Sequence, residues 1–367
     1  MRHRYAISLL AVFSLGLAAC GSSSSTSNTV SQPEEEIAPP SEGSGNDANA
    51  KAAEANCVSG KEISGRPVRV AATVAPITNL VSSIVGDAGA EVTGIVPEGT
   101  NSHTYEPPPS AAAKLENADI VFVNGLSLDD LTRDLAQANA KNAVICEIGT
   151  ATLPESDWVF DFSFPKEAGK PNPHTWTNPP MVLKYLTVIR DALVVADPKN
   201  TEKYDANYVK MSADVMELDQ AMKTASETIP VSDRKLLTYH DAYAYFALHF
   251  DYDVIGAIQP ASFEEPSPKN IADLIAQVKA EKVKAVFGSE VFPSPVLEQI
   301  GKETGARYVD TLRDDDLPGT PGESDHSWMG LMKSNYITMV EALGGDSAAL
   351  KAVSIDTSVI DKAFYPQ

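Results

Sequence analysis

Short apolar runs alternate with longer amphipathic segments along the chain from about residue 66 onward. The segment VRVAATV is typical of a strand, and the segment after it has apolar residues at helical spacing: Ile77, Leu80, Val81, Ile84 and Val85. Further strand patterns are AEVTGIV, DIVFVNG and NAVICEI, separated by the helical patterns AAAKLEN and LDDLTRDLAQAN. Because strands that alternate with helices form parallel βαβ units, the pattern predicts a first α/β lobe over residues 66–198.

The longest helical pattern lies within residues 199–230. Its apolar residues recur at spacings of four and three: Tyr204, Tyr208, Met211, Val215, Leu218 and Met222. At 1.5 Å per residue this helix is about 45 Å long, which is more than one lobe needs. We predict that it connects the first lobe to a second one over residues 231–367, where strand and helix patterns alternate again. The predicted fold class is therefore α/β, with two lobes of parallel βα units joined by a long helix.

The first twenty residues, MRHRYAISLLAVFSLGLAAC, combine a basic start, an apolar run too short to span a membrane and a small-residue end. This pattern predicts an export signal over residues 1–19. Residues 17–20 resemble a bacterial lipoprotein box, which implies that Cys20 is lipidated and becomes the new N-terminus; an ordinary cleaved signal is the alternative. Residues 20–65 contain hardly any large apolar side chain, so we expect a flexible tether. The expected location is the extracytoplasmic face of the cell membrane.

The formal charge of −21 excludes some classes of partner but identifies no particular one. So acidic a surface repels nucleic acid and attracts cations only weakly and without specificity. We expect no nucleic-acid partner, and we expect a monomer.

Three cysteines occur: Cys20, Cys57 and Cys146. If Cys20 carries lipid, an even pair remains in an oxidising compartment, and we predict a disulfide between Cys57 and Cys146 that fixes the end of the tether to the first lobe. Two free thiols are the alternative. The absence of a CxxC motif argues against zinc–thiolate chemistry.

The histidines offer the candidate chemistry. His103 in NSHTYEPPPS and His174 in NPHTWTNPP lie in loops that proline keeps from being helix or strand, and His240 follows the strand pattern KLLTYH. In open parallel sheets, ligands bind beyond the carboxyl ends of the strands. Three imidazoles with a carboxylate from the run at residues 314–316 would make a four-coordinate set suited to zinc. For His249 we expect a packing or capping role, and for His326 a solvent-exposed loop, with contact to a metal as the alternative.

These segments, together with NADIVFVNGLSLDD, TYHDAYAYFALHF, EEPSPKNIADLI and the DTLRDDDLPG run, carry a resemblance. The chain resembles the zinc- and manganese-binding lipoproteins that serve ABC-type metal importers, over residues 67 to 345. The resemblance implies that the protein captures a metal ion between two lobes and delivers it to a membrane permease. It also implies that His103, His174 and His240 bind the ion, and the histidine at the third position, where manganese-specific members have glutamate, favours zinc.

The fourth ligand follows only from aligning the acidic run with the family pattern. An alignment without gaps selects Asp315, while Asp310, Asp314 and Asp316 stay open as rivals. The matching residues Glu265 and Glu290 are expected to cap helices or support the site rather than bind the metal.

Residues 148–172 lack the histidine-rich insertion of many zinc-specific relatives, so manganese remains an alternative ion. Two other classes also stay open. A cell-surface zinc hydrolase would keep three protein ligands and an open position for water, but no HExxH motif or nucleophile elbow is present. An adhesin or scaffold would use the metal only to stabilise its fold. The expectation is a binding protein rather than an enzyme.

Overall fold

The structure is a computed structural model, and it describes residues 47–258, 266–289, 293–355 and 361–366. The predicted signal and its Cys20, the first part of the predicted tether, and Glu265 and Glu290 lie outside these residues.

The first lobe is built on a four-stranded parallel sheet. Its strands are β1 (Arg69–Ala72), β2 (Glu91–Gly94), β3 (Ile120–Val123) and β4 (Val144–Glu147), in the order β2-β1-β3-β4. Its helices are α1 (Asp47–Cys57), α2 (Ala75–Val85), α3 (Pro109–Glu116), α4 (Asp130–Asn139), α5 (Ile148–Thr152) and α6 (Pro179–Ala196). The strands are short, and β3 is buried at all four positions because helices cover both faces of a parallel sheet.

The second lobe repeats this plan. Its strands are β5 (Lys235–Thr238), β6 (Asp253–Ala257), β7 (Ala285–Ser289) and β8 (Arg307–Leu312), all parallel in the order β6-β5-β7-β8. Its helices are α8 (Ala244–Phe250), α9 (Pro268–Glu281), α10 (Pro295–Thr304), α11 (Trp328–Ala342) and α12 (Ala348–Ala352). Helix α7 (Thr201–Ser226), 26 residues long, connects the two lobes. The predicted α/β class, with two parallel-sheet lobes and a long connecting helix, is confirmed.

Serine residues determine where three helices of the second lobe begin. Ser267, Ser294 and Ser327 each accept a hydrogen bond at Oγ from the backbone N–H three residues later, at α9, α10 and α11. This contact satisfies one of the amide donors that a helix leaves unpaired at its start. Proline follows the first two serines, and its fixed φ suits the first helical position.

The expected tether over residues 20–65 is wrong at its C-terminal end, where α1 forms and packs on the first lobe. A disulfide joins Cys57, the last residue of α1, to Cys146 in the edge strand β4. The Asn56 Nδ2 also donates to the Ile145 carbonyl oxygen at 2.6 Å. The segment is rich in alanine, the best helix former, so contact with the lobe suffices to order it.

The end of the chain also departs from the expected domain boundaries. Residues 361–366 were expected in the second lobe, but Phe364 pairs with the edge strand β2 of the first lobe. Its N–H donates to the Val92 carbonyl at 3.0 Å, and its carbonyl accepts from the Gly94 N–H at 2.7 Å. The Asp361 carboxylate accepts from Asn79 and Ser82 on α2. An edge strand presents unpaired backbone groups, and this segment satisfies some of them.

Candidate metal centre

The His103 loop follows β2 at the carboxyl edge of the first sheet. Its backbone is shaped by the Asn101 Oδ1, which accepts from the His103 N–H at 3.0 Å. The Tyr105 hydroxyl donates to the Ile95 carbonyl at 3.2 Å and ties the loop back to the end of the strand. The prolines after Tyr105 then lead into α3, so the ring is carried on a short, constrained loop.

The His174 loop is buried and hydrogen-bonded at each step. The His174 Nδ1 lies 2.9 Å from the Asn172 Oδ1, and the Thr177 hydroxyl donates to the His174 carbonyl at 2.9 Å. The Thr175 hydroxyl lies 2.5 Å from the Tyr185 hydroxyl of α6. Every residue of this loop from 172 to 178 is buried, because the loop packs between the lobes.

His240 follows β5 and completes the group from the second lobe. Its carbonyl accepts from the Thr238 hydroxyl at 2.7 Å, and its Nδ1 contacts the Asp314 Oδ2. The Trp176 Nε1–H of the first lobe donates to the Asp314 carbonyl at 2.9 Å, which holds this carboxylate against the ring.

The three predicted histidines meet at one point. The His103 Nε2 lies 3.1 Å from the His174 Nε2 and 3.1 Å from the His240 Nε2, and all three ligand atoms lie within 4.8 Å of one another. The Phe164 ring lies beside this group, with its centroid 5.9 Å from that of His103 and 6.0 Å from that of His174. The structure thus brings together two first-lobe imidazoles and one second-lobe imidazole next to an aromatic wall.

The charge states of the three rings differ. Burial, and then the neighbouring His240, lowers the pKa of His103 well below its ordinary value of 6.5, and the pKa of His174 is lowered in the same way. Burial also disfavours the charged form of His240, but the Asp314 charge and hydrogen bond outweigh it and raise the His240 pKa to about 9. The rings of His103 and His174 are therefore neutral, and each has one ring nitrogen that carries a lone pair and no hydrogen. The ring of His240 is positively charged at neutral pH.

The four candidate aspartates have distinct surroundings. Asp310 is exposed, whereas Asp314 contacts the Nδ1 face of His240. The Asp316 Oδ1 accepts from the Gly99 N–H at 3.0 Å. The Asp315 Oδ2 accepts from the Ser102 hydroxyl, next to His103, and its buried Oδ1 has no hydrogen-bond partner among the described residues.

Burial, followed by the nearby Asp314 charge, raises the pKa of Asp315 to about 7. The Oδ1 of Asp315 is buried and has no hydrogen-bond partner among the described residues to stabilise a negative charge on it. Asp315 is not one of the residues whose ligand atoms lie within 4.8 Å of one another, so the structure brings together the three histidines and leaves the carboxylate beside them.

The other two histidines lie apart from the group. The His249 Nε2 pairs with the Asp219 Oδ1 on α7 at 2.5 Å, as expected of a packing residue. The expectation that His326 is exposed is wrong, since the residue is 2 % exposed and its ring packs edge-on against Tyr365. That packing depends on the C-terminal segment, which the local Gly/Pro/Asp pattern around His326 does not reveal.

Two residues support the histidines in roles that the sequence patterns did not assign: Asn172 lies behind His174, and Asp314, a rival metal ligand in the sequence patterns, lies behind His240. A histidine ligand usually donates its second ring N–H to such a partner, so a polar residue two positions before a candidate histidine was the available signal for Asn172.

The sequence matches a known protein family. The sequence pattern of the family described as zinc-uptake complex component A, periplasmic, matches residues 70–342. The chain belongs to this family. Members of this zinc-uptake component family are metal-binding parts of transporters rather than enzymes, so the hydrolase alternative is wrong. The chain is a substrate-binding protein of a metal ABC transporter.

Relatives of this chain are named for different metals. The manganese-binding lipoprotein MntA of Halalkalibacterium halodurans is 28 % identical over 283 residues, covering 76 % of this chain and 89 % of the relative. The iron-binding protein YfeA of Yersinia pestis is 27 % identical, covering 75 % of this chain and 86 % of the relative.

Solved structures agree on the fold. The manganese-bound periplasmic metal-binding protein of Candidatus Liberibacter asiaticus superposes with a TM-score of 0.66 at 25 % identity, covering 75 % of this chain and 99 % of that one. The periplasmic zinc-binding protein TroA of Treponema pallidum gives a TM-score of 0.69 at 22 % identity, covering 76 % and 99 %. Among the described residues of this family member, no helix has the length and apolar character needed to cross a bilayer.

Proposed function

We propose that this chain captures zinc, in preference to manganese or iron, and delivers it to the membrane permease of its transporter. The observation that supports this proposal is the position of the His103 Nε2, 3.1 Å from the Nε2 of His174 and 3.1 Å from that of His240, with all three ligand atoms within 4.8 Å of one another. Zinc bonds imidazole at 2.0–2.1 Å, so two nitrogens of a tetrahedral site lie about 3.3 Å apart. The two distances of 3.1 Å are close to this value, and imidazole-rich sets favour borderline metals over manganese.

Proton counting also supports a cation at this point. The His174 Nε2 is an acceptor when its Nδ1 donates to Asn172, and the Nε2 of a protonated His240 is a donor. The His103 Nε2 contacts both, and it cannot donate to His174 and accept from His240 at the same time. A divalent ion would satisfy the lone pairs of all three rings once His240 gives up its proton.

We include Asp315 as the fourth ligand. Its unpartnered Oδ1 is available, whereas Asp314 supports His240, Asp316 accepts from Gly99, and Asp310 is exposed. A single carboxylate would reduce the net charge of a zinc ion bound by three neutral imidazoles. The ligands would then come from both lobes, so the ion would hold the lobes together.

The remaining parts of the proposal concern the setting. Relatives bear the name lipoprotein, which supports lipidation of Cys20 and a location at the extracytoplasmic face of the cell membrane. We further propose that the protein works as a monomer, with the permease and the ion as its partners.

Calorimetric titration of metal-stripped protein with zinc, manganese and ferrous iron tests the metal. We expect one zinc per chain, bound more tightly than the other two ions, and a zinc-dependent rise in melting temperature. Tighter binding of manganese or iron, or no binding of zinc, would overturn the proposal.

A further inference from the structure

Asn172 has every hydrogen-bonding group of its side chain in use. Its Oδ1 accepts from the His174 backbone N–H at 3.1 Å and lies 2.9 Å from the His174 Nδ1. Its Nδ2 donates to the Asp161 Oδ2 at 3.0 Å and to the Asp241 carbonyl at 2.8 Å. The residue is fully buried, so no water competes for these contacts.

These contacts determine the tautomer of His174. A backbone N–H only donates, so the oxygen of the Asn172 amide and not its nitrogen must face the His174 N–H. The two acceptors on the opposite side, a carboxylate and a carbonyl, require the nitrogen there. Because the Oδ1 only accepts, the His174 Nδ1 must carry the ring hydrogen, and its Nε2 presents a lone pair to the other two histidines.

The same side chain joins the two lobes. Asp161 belongs to the first-lobe segment that also carries Phe164, whereas Asp241 belongs to the second lobe and directly follows His240. Separation of the lobes would break the bond from Nδ2 to the Asp241 carbonyl and leave the bond from Oδ1 to His174 intact.

We propose that Asn172 is a positioning residue that holds His174 in its metal-binding tautomer and couples it to the contact between the lobes. This inference rests on the proposed function, since it takes His174 as a ligand. The two halves of the amide have separate tasks: the oxygen orients the ring, and the nitrogen joins the lobes. An aspartate at this position would keep the first task and lose the second, because a carboxylate cannot donate to Asp161 or to the Asp241 carbonyl.

Two variants separate these tasks. In Asn172→Leu we expect nitrogen NMR of the metal-free protein at pH 8 to show a mixture of His174 tautomers, and zinc affinity to fall about 10- to 100-fold. In Asn172→Asp we expect the Nδ1–H tautomer to persist while zinc dissociates faster than from wild type. The matched control is Asn79→Leu, which removes a buried amide that contacts Trp328 and Asp361 but none of the three histidines.

A single Nδ1–H tautomer in Asn172→Leu, with zinc affinity no weaker than in Asn79→Leu, would overturn the inference. If zinc dissociates from Asn172→Asp at the wild-type rate, the proposed coupling of His174 to the contact between the lobes is wrong. The proposed function fails by a different result, the absence of zinc binding in the wild-type protein. The tautomer measurement needs no metal and remains informative in that case.

Discussion

His174 and His240 approach one point from opposite lobes but are held by different chemistry. His174 is buried in a proline-shaped loop and backed by a neutral amide, whereas His240 follows a strand directly and is backed by the Asp314 carboxylate. The pKa of His174 is lowered by burial, while the pKa of His240 is raised to about 9 because the charge of Asp314 outweighs burial. In the proposed site, His174 of the first lobe is therefore neutral and can bind the ion directly, whereas His240 of the second lobe must first lose a proton.

Removing either ring gives the largest expected effect. His174→Ala and His240→Ala should each weaken zinc binding by more than the roughly 100-fold loss typical of an outer partner, because a direct bond is lost. Competition with a zinc-sensitive dye measures the affinity. The control is His249→Ala, whose ring pairs with Asp219 away from the group. Wild-type affinity in either ligand variant would show that its lobe does not contribute to the site.

The next effect concerns the carboxylates. Asp315→Ala should weaken zinc strongly, because the ion loses a bond and its only negatively charged ligand. Asp310→Ala, Asp316→Ala and His326→Ala should each do much less, since these side chains are exposed or occupied elsewhere. Titration calorimetry on the four variants makes the comparison. If Asp316→Ala or Asp310→Ala weakens zinc binding more than Asp315→Ala does, the alignment that selects Asp315 is shifted.

Asp314→Asn addresses the difference between the two histidines. We expect an affinity loss of about 10- to 100-fold, as for other partners of ligand histidines. At pH 8 wild type should release about one proton per zinc, because His240 with a pKa of about 9 is mostly protonated there. The affinity should therefore fall as the pH drops below about 9, rather than only below the ordinary imidazole value of 6.5.

In the Asp314→Asn variant the His240 pKa should fall, and proton release at pH 8 should largely disappear. Calorimetry in buffers of different ionisation enthalpy counts these protons. If the variant releases as many protons per zinc as wild type, the proton comes from a group other than His240. The proposed difference in charge between His174 and His240 would then be wrong.

The smallest expected effect on binding comes from the disulfide, which belongs to the first lobe alone. Replacing Cys57 and Cys146 by serine should lower the free energy of unfolding by about 2–4 kcal/mol, as loss of a cross-link does. Zinc affinity should stay within a few-fold of wild type, since α1 lies against β4 and α5 rather than against the histidines. Denaturant unfolding with and without zinc separates the two quantities, and a large affinity loss would show that α1 influences the site.

Periodic patterns predicted the fold well because short buried strands and amphipathic helices leave strong local signals. The three histidines were predictable for a related reason: each follows a strand or lies in a proline-rich loop, and parallel topology collects such positions at one edge. The helical end of the expected tether was missed because its sequence is weakly amphipathic, and its order depends on contact with β4 through Cys57.

The full roles of the supporting residues could not be predicted, because they depend on contacts with atoms distant in sequence. Asp314 lies 74 residues from the ring it contacts, and Asn172 bonds a carbonyl 69 residues away. The position of Phe364 beside β2 likewise depends on pairing across more than 270 residues. Local pattern identifies a candidate ligand, but only the packed lobes identify what orients it.

The pairing of residues 361–366 with β2 affects how the lobes can move. A single helix between two bodies permits bending in any direction and twisting about its own axis. Here the chain connects the lobes through α7 and again through its final residues, which are anchored to β2 and α2. Two attachments at different places oppose twisting about the axis of α7 more than a single connection does. Any opening of the lobes that separates His240 from His103 and His174 must therefore be compatible with both connections.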